Sequence, residues 1–269
     1  DWSSDVCSSD LVNLKKYNGV LKLFVIFLTF FLILSCASTP YSVTKIEGKR
    51  LPITDKYTST PSIEQYIAPY REKIAADLNS VIAYCPETID KSTGKWQSTL
   101  GNLMADACVA RGNTILYARE KKKIDICILN HGGIRAALPK GDVTPRTAFQ
   151  IMPFENSLVV IAMNGETVMD MIRYFIKTQK AQPLSGLTFT IDKNNQPKDI
   201  KIQGNPIEIS KVYYVATNDY LANGGDDMTF FQKGIQTYDL NYKLRNVLID
   251  YFKEIKTIPV LTEVRVAVE

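Results

Sequence analysis

Apolar positions in this chain recur at two spacings, one typical of helices and one typical of strands. The clearest helical set follows the i, i+3, i+4, i+7 rule and consists of Leu100, Leu103, Met104, Ala107 and Cys108. This set predicts a helix over residues 99–117, with Ser98 or Thr99 as the N-cap. A continuous apolar run at residues 124–129 predicts a strand that is buried on both faces.

The same patterns predict the other elements of the chain. Helical spacing predicts helices over residues 62–78, 165–180 and 240–254. Strands are predicted over residues 81–84, 157–163, 187–192, 199–203, 207–217 and 262–268. Two of these strands form a hairpin around Asn194 and Asn195. Because helices and strands interleave while hairpins interrupt a strict βαβ order, we expect an α+β fold with a mixed β-sheet and packed helices in layers.

The N-terminal region has the pattern of an export signal. Residues 1–10 fit neither an export signal nor a folding pattern, and we expect them to be an artefact. Lysines at positions 15, 16 and 22 precede a twelve-residue, almost wholly apolar run at 23–34, which ends at Ser35 and Cys36. A positive region, a short apolar region and a small residue before cysteine resemble a bacterial lipoprotein signal peptide. The run is too short for a simple membrane span.

This interpretation divides the chain into three parts. Residues 1–35 are the leader with its signal peptide, residues 36–60 are a tether rich in Ser, Thr, Pro and Lys, and residues 61–269 are one domain. Cys36 is the predicted lipidation site, so we expect an exported protein anchored at the periplasmic or outer-membrane face of a bacterial membrane. The alternative is a plain signal peptide with an incidental cysteine.

Composition excludes some functions. Apolar residues make up 45% and charged residues 22% of the 269 residues, as in an ordinary globular protein. The net charge of +4 is spread thinly, so a nucleic-acid partner is not expected. His131 is the single histidine and no C-x-x-C motif occurs, so we expect no metal site formed by this chain.

One loop, residues 130–135 (NHGGIR), has the features of an anion-binding loop. Its two glycines let backbone N–H groups approach a ligand, and Arg135 can bind phosphate or carboxylate through two hydrogen bonds. The structural alternative is a Gly-Gly turn followed by a surface arginine.

Three further segments carry candidate ligand contacts. In residues 223–227 (NGGDD), Asp226 can accept hydrogen bonds from a ribose diol, although an Asx turn is the alternative. Phe154 and Tyr220 can hold a flat ring between them if they face each other; alternatively both are core aromatics. Residues 100–107 begin a helix whose N–H groups could face the same anion, or whose glycine serves close packing.

Taken together, these segments resemble the C-terminal domain of the 5′-nucleotidase family, which includes ecto-5′-nucleotidases and bacterial UDP-sugar hydrolases. The matching segments occur in family order across residues 63–268. They are residues 100–107 (LGNLMADA), 130–135 (NHGGIR), 141–144 (GDVT), 153–154 (PF), 164–165 (NG), 185–187 (SGL) and 218–226 (NDYLANGGD).

The resemblance implies a role for each matched residue. The base would stack between two aromatic residues, the ribose would contact an amide and a carboxylate, and the phosphate would contact a backbone glycine and an arginine. By position these are Phe154 and Tyr220, Asn130 and Asp226, and Gly133 and Arg135. The family usually has another arginine just upstream of the Leu-Gly-Asn motif. This chain has no arginine there, so that phosphate contact is either missing or weakly replaced by Lys95.

The resemblance also implies where the chemistry occurs. In the family, hydrolysis belongs to an N-terminal metallophosphatase domain whose two metals are held by Asp, His, Asn and Gln. Residues 37–60 cannot form that domain, so no catalytic residue carries over to this chain. We therefore expect a nucleotide-recognition domain for nucleotide catabolism, inactive alone, that acts with a separate metallophosphatase chain containing the divalent metals. The alternatives are a non-catalytic nucleotide-binding surface lipoprotein and a scaffold without ligand.

Overall fold

The computed structural model describes residues 14–33 and 42–269. It divides into two compact units between residues 58 and 59. The first contains helix α1 (Leu14–Ile33), whose large apolar side chains are exposed between Val20 and Phe30. Within the described ranges, none of the helices combines the length and apolar character that a bilayer span needs. Residues 1–10 and Cys36 lie outside these ranges, so the leader, the lipidation and the domain limits stay predictions.

The second unit contains all other elements. Its helices α2 to α7 are Pro61–Asn79, Thr99–Glu120, Pro145–Ile151, Gly165–Thr178, Asp219–Ala222 and Leu244–Ile255. Strands β1 to β11 are Ala83–Cys85, Ile126–Ile128, Gly141–Val143, Ser157–Asn164, Leu184–Ser185, Leu187–Ile191, Pro197–Ile202, Asn205–Pro206, Val212–Asn218, Gln236–Lys243 and Val266–Val268. Short 3₁₀ turns occur at His131–Gly133, Gly225–Asp227 and Thr229–Lys233.

A five-stranded mixed sheet forms the centre of this unit, in the order β10-β4-β9-β2-β5. Strands β2 and β9 are parallel, and the other neighbours are antiparallel. Successive side chains of a strand point to opposite faces, so Val160 of β4 joins one hydrophobic cluster and Ile161 joins the other. Helices α3 and α7 cover the first face and α5 covers the second. The α+β prediction with a mixed, layered sheet is therefore confirmed.

Several predicted elements are confirmed with small boundary shifts. The helix predicted over residues 99–117 is α3, and Ser98 caps it by accepting a hydrogen bond from the Gly101 N–H at 3.1 Å. The helix predicted from residue 165 is α5, which Asn164 caps through the Thr167 N–H at 2.8 Å. The predicted hairpin is the β6–β7 pair.

Other predictions were wrong in part. Residues 240–243 belong to strand β10, so the last helix begins only at Leu244. Tyr238 and Leu240 alternate toward the core, and Tyr238 pairs with Val160; this pairing overrides the local helical spacing. The strand predicted from residue 207 begins at Val212, and the last strand covers only Val266–Val268.

The pattern also missed helix α4, a seven-residue helix that a capping box between Thr144 and Thr147 stabilises. Residues 218–227, for which the patterns predict neither helix nor strand, contain α6 and a 3₁₀ turn. Both features are short, so they add too few apolar repeats to be recognised by periodicity.

Candidate functional site

A cavity of about 410 Å³ lies at one edge of the central sheet. Strands β2 and β9 are parallel neighbours, so the segments that follow them, residues 130–135 and 219–227, emerge at the same edge. Strand β4 runs antiparallel to β9 and pairs Leu158 with Asn218, which brings the residues before β4 there as well. The sheet topology therefore brings together three loops that are distant in sequence.

All six predicted site residues line this cavity: Asn130, Gly133, Arg135, Phe154, Tyr220 and Asp226. The other four lining residues are Gly132, Met152, Asn156 and Asn218. The sequence analysis indicated Gly132 as one of the two glycines of the 130–135 loop and included Asn218 in a matched segment, but it assigned no individual ligand contact to either. Met152 and Asn156 lie outside the segments that the sequence analysis identified.

Asp226 is the most tightly connected of these side chains. Its Oδ2 accepts a hydrogen bond from Asn130 Nδ2 at 2.7 Å, and its Oδ1 accepts one from the Tyr220 hydroxyl at 2.9 Å. Its backbone carbonyl accepts a hydrogen bond from the Tyr174 hydroxyl at 2.6 Å. The carboxylate is thus held from both sides, and its backbone is anchored, while the side chain lines the cavity.

The backbone around Asp226 adopts a left-handed conformation, with φ of 88° at Gly224, 52° at Asp226 and 60° at Asp227. Glycine and aspartate tolerate this region better than most residues. The left-handed conformation of the two aspartates costs free energy, and the hydrogen bonds to Asp226 offset that cost. Strained backbone held in this way is frequent at ligand sites. The hydrogen bond to Asp226 also raises the pKa of Tyr220, and burial raises the pKa of Tyr174.

Two glycines let other groups approach closely. A Cβ atom on Gly133 would lie 2.8 Å from Asn130 Oδ1, and one on Gly225 would lie 2.5 Å from the Tyr220 ring. A larger residue at either position would therefore displace the Asn130 amide or the Tyr220 ring from its observed place. By contrast, a Cβ atom on Gly132 would have its nearest neighbour at 3.6 Å.

The two predicted aromatic residues are exposed, Phe154 by 41% and Tyr220 by 47% of the residue surface, so the alternative that both are core aromatics is wrong. The guanidinium carbon of Arg135 lies 5.8 Å from the centre of the Phe154 ring. Arg135 Nη1 also donates to the Gly132 carbonyl at 3.4 Å. One wall of the cavity thus combines a flat apolar surface with a positive charge.

Comparison with known proteins identifies the fold family. The family described as 5′-nucleotidase, C-terminal domain, matches residues 81–233, which is more than half of the chain. The chain belongs to this family. The resemblance seen in the sequence motifs is therefore confirmed.

Individual relatives are much longer than this chain. It is 27% identical over 222 residues to the trifunctional nucleotide phosphoesterase protein YfkN of Bacillus subtilis, covering 76% of this chain and 15% of that protein. It is 26% identical over 194 residues to protein UshA of Escherichia coli, and the match covers 68% of this chain and 33% of UshA. The chain therefore spans a third or less of these relatives.

Solved structures show the same fold. The 5′-nucleotidase precursor of Thermus thermophilus superposes with a TM-score of 0.62 at 24% identity, covering 76% of this chain and 42% of that one. The NAD nucleotidase of Haemophilus influenzae superposes with a TM-score of 0.60 at 19% identity, covering 78% of this chain and 42% of the nucleotidase.

The Leu-Gly-Asn motif of this 5′-nucleotidase C-terminal domain contributes to packing and does not line the cavity. Gly101 is buried, and a Cβ atom there would lie 3.3 Å from the Cα of Pro183, so this glycine serves close packing. Residues 100–107 are not among those that line the cavity, and neither is Lys95, whose ammonium lies 5.1 Å from the centre of the Trp96 ring.

A different lysine stands next to the 130–135 loop. Lys91 Nζ donates to the carbonyl of Ile134 at 2.5 Å and contacts that of His131 at 3.5 Å. No local sequence pattern indicates this contact, because Lys91 lies in an irregular segment 40 residues before His131.

The described residues do not form a metal centre. Within residues 14–33 and 42–269, no group of three or more His, Cys, Asp or Glu side chains has a geometry that could hold a metal ion. His131 instead contacts neighbouring protein groups, with Nδ1 3.3 Å from the Ala181 carbonyl and its backbone N–H donating to Gln182 Oε1 at 2.6 Å. The donors of this part of the chain therefore do not fit the two-metal site that the family's hydrolysis requires.

Proposed function

We propose that this domain binds a 5′-nucleotide or nucleoside in the cavity formed by the three loops. The observation that carries the proposal is that a single cavity is lined by two exposed aromatic rings, an arginine, an amide and a carboxylate. A nucleotide presents a flat base, a diol and an anion, so each of its parts has a chemically matched group in this cavity. Membership of a nucleotidase-associated family supports the same ligand class.

The proposed assignment follows the positions of these groups. The base stacks between Phe154 and Tyr220, and the ribose hydroxyls donate to Asp226, with Asn130 beside it. The phosphate contacts Arg135 and the backbone of Gly133. The volume of about 410 Å³ is within the range of small-molecule sites, about 300–1,000 Å³.

We further propose that phosphate release occurs with a separate metallophosphatase chain that holds the divalent metals. The support is the binding set described above, together with a donor set that does not fit a metal centre in the described residues. In such a complex, this domain positions the nucleotide for attack by water, and positioning alone contributes strongly to rate.

Export and lipidation at Cys36 are part of the same proposal. The support is the lysine-flanked apolar run that ends at Ser35 and Cys36. Mass spectrometry of the protein recovered from bacterial membranes tests this point. We expect a diacylglyceryl group on Cys36 and its loss in the Cys36→Ala variant, whereas an unmodified Cys36 would contradict lipidation.

The experiment on function combines binding and activity. Isothermal titration with AMP and adenosine, without metal, tests recognition. Phosphate release by metallophosphatase domains, with and without this protein, tests cooperation. We expect binding and a rate gain. Binding without complex formation or rate gain would favour a non-catalytic nucleotide-binding surface lipoprotein, and no binding would contradict the proposal.

A further inference from the structure

Asn156 connects the two loops that carry the aromatic rings of the cavity. Its Nδ2 donates a hydrogen bond to Asp219 Oδ1 at 3.1 Å. Asn156 lies two residues after Phe154, and Asp219 is adjacent to Tyr220. The same Asp219 oxygen also accepts the Tyr220 N–H at 2.8 Å. This bridge therefore joins the two segments that position the rings.

The orientation of the Asn156 amide follows from chemistry. A carboxylate only accepts hydrogen bonds, so the NH₂ group of Asn156 must face Asp219. Its backbone is held as well, because the Leu244 N–H donates to the Asn156 carbonyl at 3.0 Å. In the described part of the chain, Asn156 Oδ1 accepts no hydrogen bond. The half-buried side chain lines the cavity, so it presents an oriented acceptor and one remaining N–H.

We propose that Asn156, oriented by Asp219, contacts the edge of the base and selects nucleotides whose purine carries a 6-amino group or whose pyrimidine carries a 4-amino group. This inference rests on the proposed function, since it assumes that the base stacks between Phe154 and Tyr220. Asn156 is then a specificity-determining residue, and Asp219 is a positioning residue that acts through it.

The chemical pattern separates amino from oxo bases. Adenine presents an amino N–H donor beside a ring-nitrogen acceptor, and an asparagine amide can bind both. Hypoxanthine presents an oxygen acceptor at the same position, which would face the Asn156 oxygen. The Asn156 amide cannot avoid this contact between two oxygen acceptors by rotating, because rotation would place its own oxygen against the Asp219 carboxylate. Cytosine and uracil differ in the same way, so the selection extends to pyrimidines.

The test compares AMP with IMP, which share ribose and phosphate and differ at the base. Isothermal titration of the full chain should give an affinity for AMP that is about fivefold or more above that for IMP, as expected for a bidentate amide contact. CMP should likewise bind more tightly than UMP. Equal affinities, or tighter binding of IMP, would overturn the inference and leave the proposed function intact. If none of the four nucleotides binds, both fail.

Two variants distinguish a contact between Asn156 and the base from a general disturbance of the cavity. In Asn156→Ala, the AMP to IMP ratio should fall to about one, with IMP affinity retained through stacking. In Asp219→Ala, Asn156 is present but free to rotate, so the ratio should fall while binding persists.

Asn223→Ala is the matched control. Asn223 Nδ2 donates to the Asp219 backbone carbonyl at 2.8 Å without lining the cavity, so this variant should keep the wild-type ratio. A ratio unchanged in Asn156→Ala, or lost equally in Asn223→Ala, would overturn the inference.

Discussion

Asn130 donates a hydrogen bond to Asp226 over 2.7 Å and so joins two loops that are 96 residues apart in sequence. The contact exists because β2 and β9 are parallel neighbours and end at the same edge of the sheet. Each Asp226 oxygen already accepts one hydrogen bond, from Asn130 and from Tyr220. A carboxylate has about four acceptor positions, so capacity remains for a diol. The carboxylate is therefore oriented before any ligand arrives.

The Gly133→Ala variant tests this preorganisation. The new methyl group would lie 2.8 Å from Asn130 Oδ1, so the Asn130 amide must move and weaken its bond to Asp226. We expect weaker adenosine binding with little change in the melting temperature. Wild-type adenosine affinity in Gly133→Ala would contradict the proposed role of the Asn130–Asp226 pair.

The Tyr220 hydroxyl and ring are expected to contribute separately. Tyr220→Phe removes the hydrogen bond to Asp226 Oδ1 but keeps the ring, whereas Tyr220→Ala removes both. Adenosine affinity should fall slightly in the first variant and by roughly fivefold or more in the second, as loss of base stacking predicts. Titration calorimetry of both variants measures the difference. A loss that is as large in Tyr220→Phe as in Tyr220→Ala would argue against stacking.

Arg135 should distinguish nucleotide from nucleoside. In Arg135→Gln, AMP affinity should fall about tenfold, as loss of one charge-assisted contact worth ~1.4 kcal/mol predicts, while adenosine affinity stays unchanged. Added salt should weaken AMP binding in the wild type more than in the variant. Arg146→Gln is a suitable control, because Arg146 is exposed and bonds Asn79 away from the cavity. An equal loss for AMP and adenosine would mean that Arg135 supports the loop instead of binding phosphate.

Ionisation of Tyr242 should lower the free energy of unfolding at alkaline pH. Burial, and then the hydrogen bond from its hydroxyl to Asp250 Oδ2 at 2.6 Å, raise the pKa of Tyr242 from 10.0 to about 12. The folded state therefore favours the protonated phenol. This stabilisation is complete below pH 10 and is lost as the pH rises to 12. The full linkage value is ~2.7 kcal/mol, and solvent screening of this part-exposed group lowers the expected loss to about 1 kcal/mol.

Unfolding of the wild type and of Tyr242→Phe between pH 9 and pH 12 measures this effect. The variant lacks the titrating hydroxyl, so its free energy of unfolding should fall less over that interval. The difference between the two proteins at each pH isolates Tyr242 from the lysines that titrate in the same range. Parallel curves would contradict the assignment.

Local patterns in the sequence were sufficient where the physical cause is local. The α3 and α5 helices combine apolar periodicity with capping residues, Ser98 and Asn164, and both helices were predicted; Ser98 was one of the two N-caps predicted for α3. Strand β10 was missed at residues 240–243 because its pairing with β4 is a tertiary contact. Helix α4 was missed because its seven residues contain too little periodicity.

In the candidate site, too, local motifs were recognised in the sequence and tertiary contacts were not. Its six predicted residues come from motifs in family order, and the sheet brings them to one cavity. The contacts of Lys91 with the 130–135 loop and of Asn156 with Asp219 have no local signal. Each joins segments that approach only when the sheet has formed. Of the two alternatives for the upstream arginine, the structure does not support replacement by Lys95, because its ammonium lies over the Trp96 ring and Lys95 does not line the cavity.

Titration of AMP into the metal-free protein, for the wild type, Phe154→Ala and Phe149→Ala, is the most direct measurement of the central claim. Phe149 is exposed to a similar extent as Phe154, 40% against 41%, but does not line the cavity. The account predicts one AMP bound per chain in the wild type and in Phe149→Ala, and weakened binding in Phe154→Ala. Absence of AMP binding to the wild type, or equal affinity in all three proteins, would contradict it.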